Sequence, residues 1–267
     1  MKKIIVLFAA MMLALVPAAA ASAQSSDGTV TVVHAIPDLD VDVWANGSPL
    51  LPGFTFGTVT DALALPAADY DLEIYAAGTD PEGNDPALAA TVTVTAGLNA
   101  SIVAHLDGDG APTLTVFVND ISDIATGESR VTARHTAFAP TVDILANDGV
   151  LFGGVSNPQE GVADVPADTY NVKIVPAGGD PDSNVFETDL TLPEGTNVIV
   201  YAIGDLAGGS FAVVSQAISG LQATPAGVPT GTDGMAVDGI PTWLIAAMAL
   251  GLASVAGSRV LATRRSR

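Results

Sequence analysis

The sequence predicts an all-β protein made of two tandem Greek-key, Ig-like β-sandwiches. Short stretches of alternating apolar and polar residues recur between turn residues, a pattern typical of antiparallel sandwiches. The segment from His34 to Gly47 has a second version from His135 to Gly149, and both pass through a Pro and a hydrophobic-Asp-hydrophobic core before an Asn. A repeat period of about one hundred residues indicates two similar domains.

The chain begins with the three regions of a secretory signal peptide. Two lysines precede the apolar run Ile4 to Val16, and small residues then lead to the A-x-A sequence Ala21 to Ala23. We expect a signal peptide at 1–23 and a mature chain from Gln24. A retained anchor is the weaker alternative, because the apolar run is shorter than the ~20 residues that a membrane helix needs.

The other end of the chain has the pattern of a membrane anchor. No charged residue occurs from Ile240 to Gly257, and an arginine cluster follows. This predicts a transmembrane helix at 240–262 and a cytoplasmic basic tail at 263–267, with the preceding domains outside the cell. The Gly-, Pro- and Thr-rich segment 221–239 is predicted to be a flexible stalk.

Attachment to the cell wall is the alternative to simple membrane anchoring. Val228 to Gly231 is similar to part of the sorting signal used by sortases, and an apolar segment and arginines follow it. The full L-P-x-T-G spacing is missing, so membrane anchoring is favoured.

The first domain is predicted at 24–121 and the second at 122–220. Within the first, alternation predicts seven strands with one buried face per sheet. They lie near Val30 to Ala35, Val41 to Ala45, Val59 to Leu63, Asp69 to Ala76, Ala89 to Thr95, Ala100 to Leu106 and Thr113 to Asn119. The second domain repeats this order with small changes in length.

The repeated motifs resemble the bacterial domain-of-unknown-function family 4397. They are H-A-x-P-x-x-x-V-D-V-W-x-N-G from His34, its degenerate copy from His135, and the L-P-A-x-x-Y segment at Leu65 with its copy at Val165. The resemblance covers both repeats, from about Val30 to about Ser219. It implies exported, surface-attached β-rich modules, often in tandem, without an established activity.

Four residues at matching positions of the repeats are interpreted as structural. They are His34 and Asp42 in the first copy and His135 and Asp143 in the second. A histidine that recurs before a Pro-containing loop favours a hydrogen bond that anchors the loop. For the two aspartates, solvent, a cation and a buried hydrogen bond all remain open.

Two matching loops are the candidate calcium ligands. Oxygen-bearing side chains alternate along them, as in the opening of many calcium loops: Asp80, Glu82, Asn84 and Asp85 in the first repeat, and Asp180, Asp182 and Asn184 in the second. Plain turns are the alternative, because Asp, Pro, Gly and Asn also build hairpins. Asp38, Asp40 and Asp42 are a weaker candidate, which requires an extended segment that places all three on one face.

Composition and motifs favour a non-enzymatic function. All 29 acidic residues lie between Asp27 and Asp238, with only three of the nine basic residues, and such a charge opposes nucleic acid. The sequence has no cysteine, G-x-S-x-G elbow, P-loop or H-E-x-x-H motif. We expect no catalytic or cofactor-binding residues and a surface module for adhesion, ligand capture or envelope scaffolding. Its expected partners are the membrane and an unknown extracellular protein or glycan; the alternative is a polysaccharide hydrolase with two carboxylates.

Overall fold

The structure, a computed structural model, describes residues 27–223. These residues form β-strands and one short 3₁₀ turn at Pro181–Ser183, so the all-β prediction is confirmed for this part of the chain. The predicted signal peptide (1–23), transmembrane helix (240–262) and basic tail (263–267) lie outside the described residues, as does most of the predicted stalk. No helix within 27–223 has the length and hydropathy of a membrane span.

The strands fall into two sets of eight. The first set is β1 Asp27–His34, β2 Val41–Ala45, β3 Ser48–Phe54, β4 Leu63–Pro66, β5 Ala68–Ala76, β6 Leu88–Val94, β7 Asn99–Leu106 and β8 Pro112–Val118. The second set is β9 Glu128–His135, β10 Val142–Ala146, β11 Gly149–Val155, β12 Glu160–Pro166, β13 Thr169–Pro176, β14 Phe186–Thr191, β15 Asn197–Ile203 and β16 Ala212–Ile218.

Both sets have the same sheet topology. In the first sandwich a sheet of order β4-β1-β7-β8 packs on a sheet of order β3-β2-β5-β6. In the second sandwich the orders are β12-β9-β15-β16 and β11-β10-β13-β14. The pairs β1–β7 and β9–β15 are parallel, so the expectation of purely antiparallel sheets is wrong at the centre of each repeat.

The predicted number of strands was also wrong, because β3 was missed. Its sequence contains Pro49 and Pro52, and Pro within a run argues against a central strand. β3 lies at the edge of its sheet, where Pro is tolerated because one side of the strand needs no N–H donor. The strand expected at Val59 to Leu63 is instead an isolated bridge between Val33 and Val59, and β4 follows at Leu63–Pro66.

The two sandwiches are joined by a separate hydrophobic core that lies between them. Seven buried residues form it, and we call them the junction core: Val33, Ala35, Val103 and Phe117 from the first sandwich, and Ile199, Tyr201 and Ile203 from the second. The sheets that contain β1 and β9 are therefore the inner layers of a four-layer stack, and we call them the inner sheets. The prediction of one buried face per sheet is wrong for them, since β7 and β15 are buried along nearly their whole length.

All strands of the four sheets, and the residues of their cores, lie within residues 27–223. The division of the chain by internal contacts falls after Ala223, and Leu221 and Ala223 exchange backbone hydrogen bonds with Ile124. The first three residues of the predicted stalk thus belong to the folded part. Because its backbone pairing and its cores are complete within these residues, we expect this segment to fold as a unit.

Candidate functional site

Asp42 and Asp143 each fasten two backbone segments. Asp42 accepts hydrogen bonds from the N–H groups of Gly53 at 2.6 Å and Gly78 at 2.8 Å. Asp143 accepts the same pair from Gly154 at 2.7 Å and Gly178 at 2.8 Å. These donors hold the pKa of both carboxyls below its ordinary value, because they favour the ionised form. Asp42 on β2 thus links the edge strand β3 to the turn after β5. Asp143 on β10 links the edge strand β11 to the turn after β13.

His34 and His135 anchor the loops that follow them. His34 Nε2 lies 2.7 Å from the carbonyl oxygen of Leu39, and His135 Nε2 lies 3.0 Å from that of Pro140. Both side chains are buried, and burial lowers the pKa of each imidazole. The neutral ring with a proton on Nε2 donates to the carbonyl.

The candidate calcium loops are built as turns. Asp80 Oδ1 accepts the N–H of Glu82, and the Asn84 side chain donates to the Asp80 carbonyl at 2.7 Å. In the second repeat Asp180 Oδ1 accepts the N–H of Asp182 and caps the 3₁₀ turn.

The other candidate calcium ligands of these loops do not lie together with Asp80 or Asp180 in one site. Asn184 donates to Glu187 at 2.9 Å, and Glu82 and Asp85 are exposed. Within 27–223, no three His, Cys, Asp or Glu residues are grouped so that they could hold a metal ion. Calcium binding by Asp80, Glu82, Asn84, Asp85, Asp180, Asp182 and Asn184 stays a prediction.

The carboxylates of Asp38, Asp40 and Asp42 do not share a strand face. β2 begins only at Val41, and Asp38 lies in a turn with a φ of 59°. The extended segment that this candidate requires is interrupted there, because a left-handed residue breaks the alternation of a strand.

The most elaborate polar cluster is at the junction between the sandwiches, around Arg134. Its guanidinium donates to Glu160 at 2.8 Å, to the Tyr201 hydroxyl at 2.9 Å and to Asn119 Oδ1 at 2.9 Å. It also lies 4.5 Å from the centre of the Phe117 ring. Arg134 is only 2% exposed, so its charge is buried with partners from both repeats.

Further hydrogen bonds continue this cluster across the junction. Asn119 Oδ1 accepts from Ser101 at 3.1 Å, and Ser101 in turn accepts from Gln216 at 2.8 Å. At one end Asn157 donates to the carbonyl groups of Leu106 and Ala137, both at 2.8 Å. Polar contacts therefore fix the register of the two inner sheets, as the junction core fixes their separation.

Arg130 secures the connection between the repeats. It pairs with Asp164 through two nitrogens, at 2.7 and 2.9 Å, and with Asp120 at 3.0 Å. Sequence reasoning gave neither Arg130 nor Arg134 a role. The available signal was their spacing: they are two of three basic residues between Asp27 and Asp238, and residues four apart on a strand point to the same face.

A shallow cleft of about 490 Å³ also lies along the junction. Both repeats contribute to it, with Thr29, Thr31 and Asp61 on one side and Gln216 and Ile218 on the other. Hydroxyl, amide and carboxylate groups are thus presented together to a polar partner.

The first sandwich and the start of the second match a known family. Residues 28–145 match the model of a family described as Domain of unknown function (DUF4397). The match runs from the start of the first sandwich to β10, and one copy is detected. That the second sandwich is another copy of this family stays a prediction, although its sheet topology is the same.

Two solved structures show distant likenesses to this chain. A family CBM26 module from Eubacterium rectale Amy13K, solved with maltoheptaose, has 13% identity and a TM-score of 0.24, and covers 72% of this chain and 98% of its own. The Bacillus anthracis TIE protein has 11% identity and a TM-score of 0.21, over 74% of this chain and 32% of that one. Likenesses at this level carry no argument about ligands. No curated protein matches the sequence.

Proposed function

We propose that this protein is an exported, membrane-anchored and non-enzymatic surface module in which two β-sandwiches form one rigid spacer. The continuous core across the junction carries the proposal. Tandem domains joined by a flexible linker move independently by default, whereas here the inner sheets share seven buried residues and the bonded Arg134. A rigid stack holds the two outer sheets at a fixed separation, as scaffolding or adhesion outside the cell requires.

The charge distribution supports an extracellular location. The acidic residues are concentrated between Asp27 and Asp238, and the C-terminal arginines lie beyond the apolar run. A strongly acidic surface remains soluble in salty surroundings and repels anionic lipid. The expected partner is an extracellular protein or glycan.

Rigidity is tested by the distance between two spin labels. The chain contains no cysteine, so Ala89→Cys and Glu187→Cys give unique labelling sites at matching positions of the two outer sheets. We expect one narrow distance distribution for the segment 24–223. A broad distribution would contradict a rigid spacer.

Location is tested by protease treatment of intact cells. We expect degradation of the sandwiches from outside, and release of a variant that ends at residue 239 into the medium. Protection of the sandwiches in intact cells, together with degradation after lysis, would show that they are not extracellular.

A further inference from the structure

The two sandwiches differ in how completely their interiors are filled. The second sandwich has a mostly apolar, partly open cavity of about 260 Å³ between its sheets, whereas the corresponding cavity of the first is about 30 Å³. Ala133, Ile144, Val172 and Val200 contribute to its wall. An engineered apolar cavity of about 150 Å³ stays dry and accepts benzene, so the larger one has room for a more extended apolar group.

The cavity arises from smaller side chains at matched positions of the inner sheet. The neighbours Val32 and Ile102 of the first sandwich correspond to Ala133 and Val200 of the second. Ala133 and Val200 have fewer carbons in the same places, and such losses leave space when the backbone does not collapse.

The same trend continues on the facing sheet and on the edge strand of the inner sheet. Leu72 on the facing sheet corresponds to Val172, and Leu114 on β8 corresponds to Val213 on β16. Phe152 is larger than its counterpart Leu51, and it lines the cavity wall without filling the space.

Thr188 on β14 and Ser215 on β16 both line the cavity and are exposed. The cavity therefore reaches solvent between these two edge strands, beside two hydroxyl groups. At the matched positions the first sandwich has Ala90 and Val116. The edge strands β6 and β8 of the first sandwich also contact each other more extensively than β14 and β16 do. The second sandwich thus combines an apolar interior with two hydroxyl groups at its entrance.

We infer that the second sandwich binds a small neutral amphiphile, with its apolar body in the cavity and its polar head at the Thr188 and Ser215 hydroxyls. The apolar lining favours a hydrocarbon body, because burial removes its surface from water. A neutral head is favoured over an anionic one because the region between Asp27 and Asp238 contains 29 acidic and only three basic residues, and its field repels anions. This inference concerns the interior of one sandwich and does not depend on the spacer function.

Straight-chain primary alcohols from hexanol to decanol test the site. The segment 24–223 is titrated with each alcohol in a calorimeter at pH 7, and with the carboxylate of the same chain length. We expect saturable binding of one alcohol molecule per chain and binding of the carboxylate that is weaker by about tenfold. Failure of every alcohol to bind saturably would overturn the site, and equal binding of the carboxylates would overturn the neutral head group.

A filled variant tests the location. Ala133→Val with Val200→Ile gives the second sandwich the residues of the first, and we expect a higher thermal midpoint without ligand and alcohol binding weaker by at least about tenfold. The matched control, Val32→Ala with Ile102→Val, lowers the midpoint and leaves binding unchanged.

The filled variant can also contradict the inference. Unchanged alcohol binding in it would place the alcohol elsewhere and overturn the inference. Should the double variant not fold, Val213→Leu replaces it, because Leu114 is the matching residue of the first sandwich. Weaker alcohol binding in this variant is expected, and unchanged binding would overturn the inference.

Discussion

At the scale of single residues, recurring side chains of the two repeats make the same bonds to backbone. Asp42 and Asp143 each accept two glycine N–H groups, and both carboxylates remain partly exposed. The aspartates could be recognised from their repetition, but their partners could not, because Gly53 and Gly78 are distant in sequence. Gly53 also has a φ of 58°, a conformation that glycine adopts without strain.

Buried histidines make the protein sensitive to mild acid. Burial lowers the pKa of His34, His105 and His135 from the ordinary value of 6.5. As pH falls below 6.5, the unfolded chain binds protons that the folded chain does not, so the free energy of unfolding falls. Their contribution is fully present above 6.5 and is lost as pH falls through the lowered values. We expect the thermal midpoint to decrease between pH 6.5 and 5.

A matched substitution isolates this effect. His105 occupies the position at which the second repeat has Ile203, so His105→Ile introduces a side chain that the fold already accepts there. We expect a shallower pH dependence of the midpoint in this variant. An unchanged dependence would mean that His105 does not contribute.

At the scale of elements, hairpin turns and central strands were predictable, and edge strands were not. Asn46 and Gly47 have φ values of 50° and 72°, as a two-residue hairpin turn between β2 and β3 requires. The Asn-Gly pair predicted this turn. The strand after it was missed because Pro49 and Pro52 are acceptable only at an edge, and the sequence does not state which strand is at the edge.

The turn at Gly47 provides a test of backbone strain without packing effects. A Cβ atom at Gly47 or Gly108 would meet nothing within 4 Å, and only Gly47 has a positive φ. We expect Gly47→Ala to lower the free energy of unfolding by about 1 kcal/mol in urea denaturation. Gly108→Ala is the control and should leave it unchanged or slightly raised; an equal loss in both variants would contradict the account.

At the scale of the whole molecule, the junction between the sandwiches was not predicted. The alternation in β9 indicated a polar face in water, but Arg130, Thr132 and Arg134, which form this face, are buried. Period-two patterning separates two faces of a strand and cannot say what covers each face. A buried polar face against a second domain therefore has the same pattern as a solvated one.

Arg134 is the residue whose loss should most weaken the junction. Arg134→Met removes the donors to Glu160, Tyr201 and Asn119 from a buried position at the junction. We expect the free energy of unfolding to fall by about 3 kcal/mol. The control Lys173→Met breaks an ion pair with Asp148, whose side chain is 65% exposed, and should cost less than about 1 kcal/mol. Equal effects of the two variants would show that the junction does not depend on Arg134.

The central claim, that the two sandwiches form one cooperative body, is tested most directly by calorimetric unfolding of the segment 24–223. Because the inner sheets share the junction core, we expect a single endotherm whose calorimetric and van't Hoff enthalpies agree. Two separate endotherms, or a van't Hoff enthalpy of about half the calorimetric value, would mean that the sandwiches unfold independently and would contradict the account.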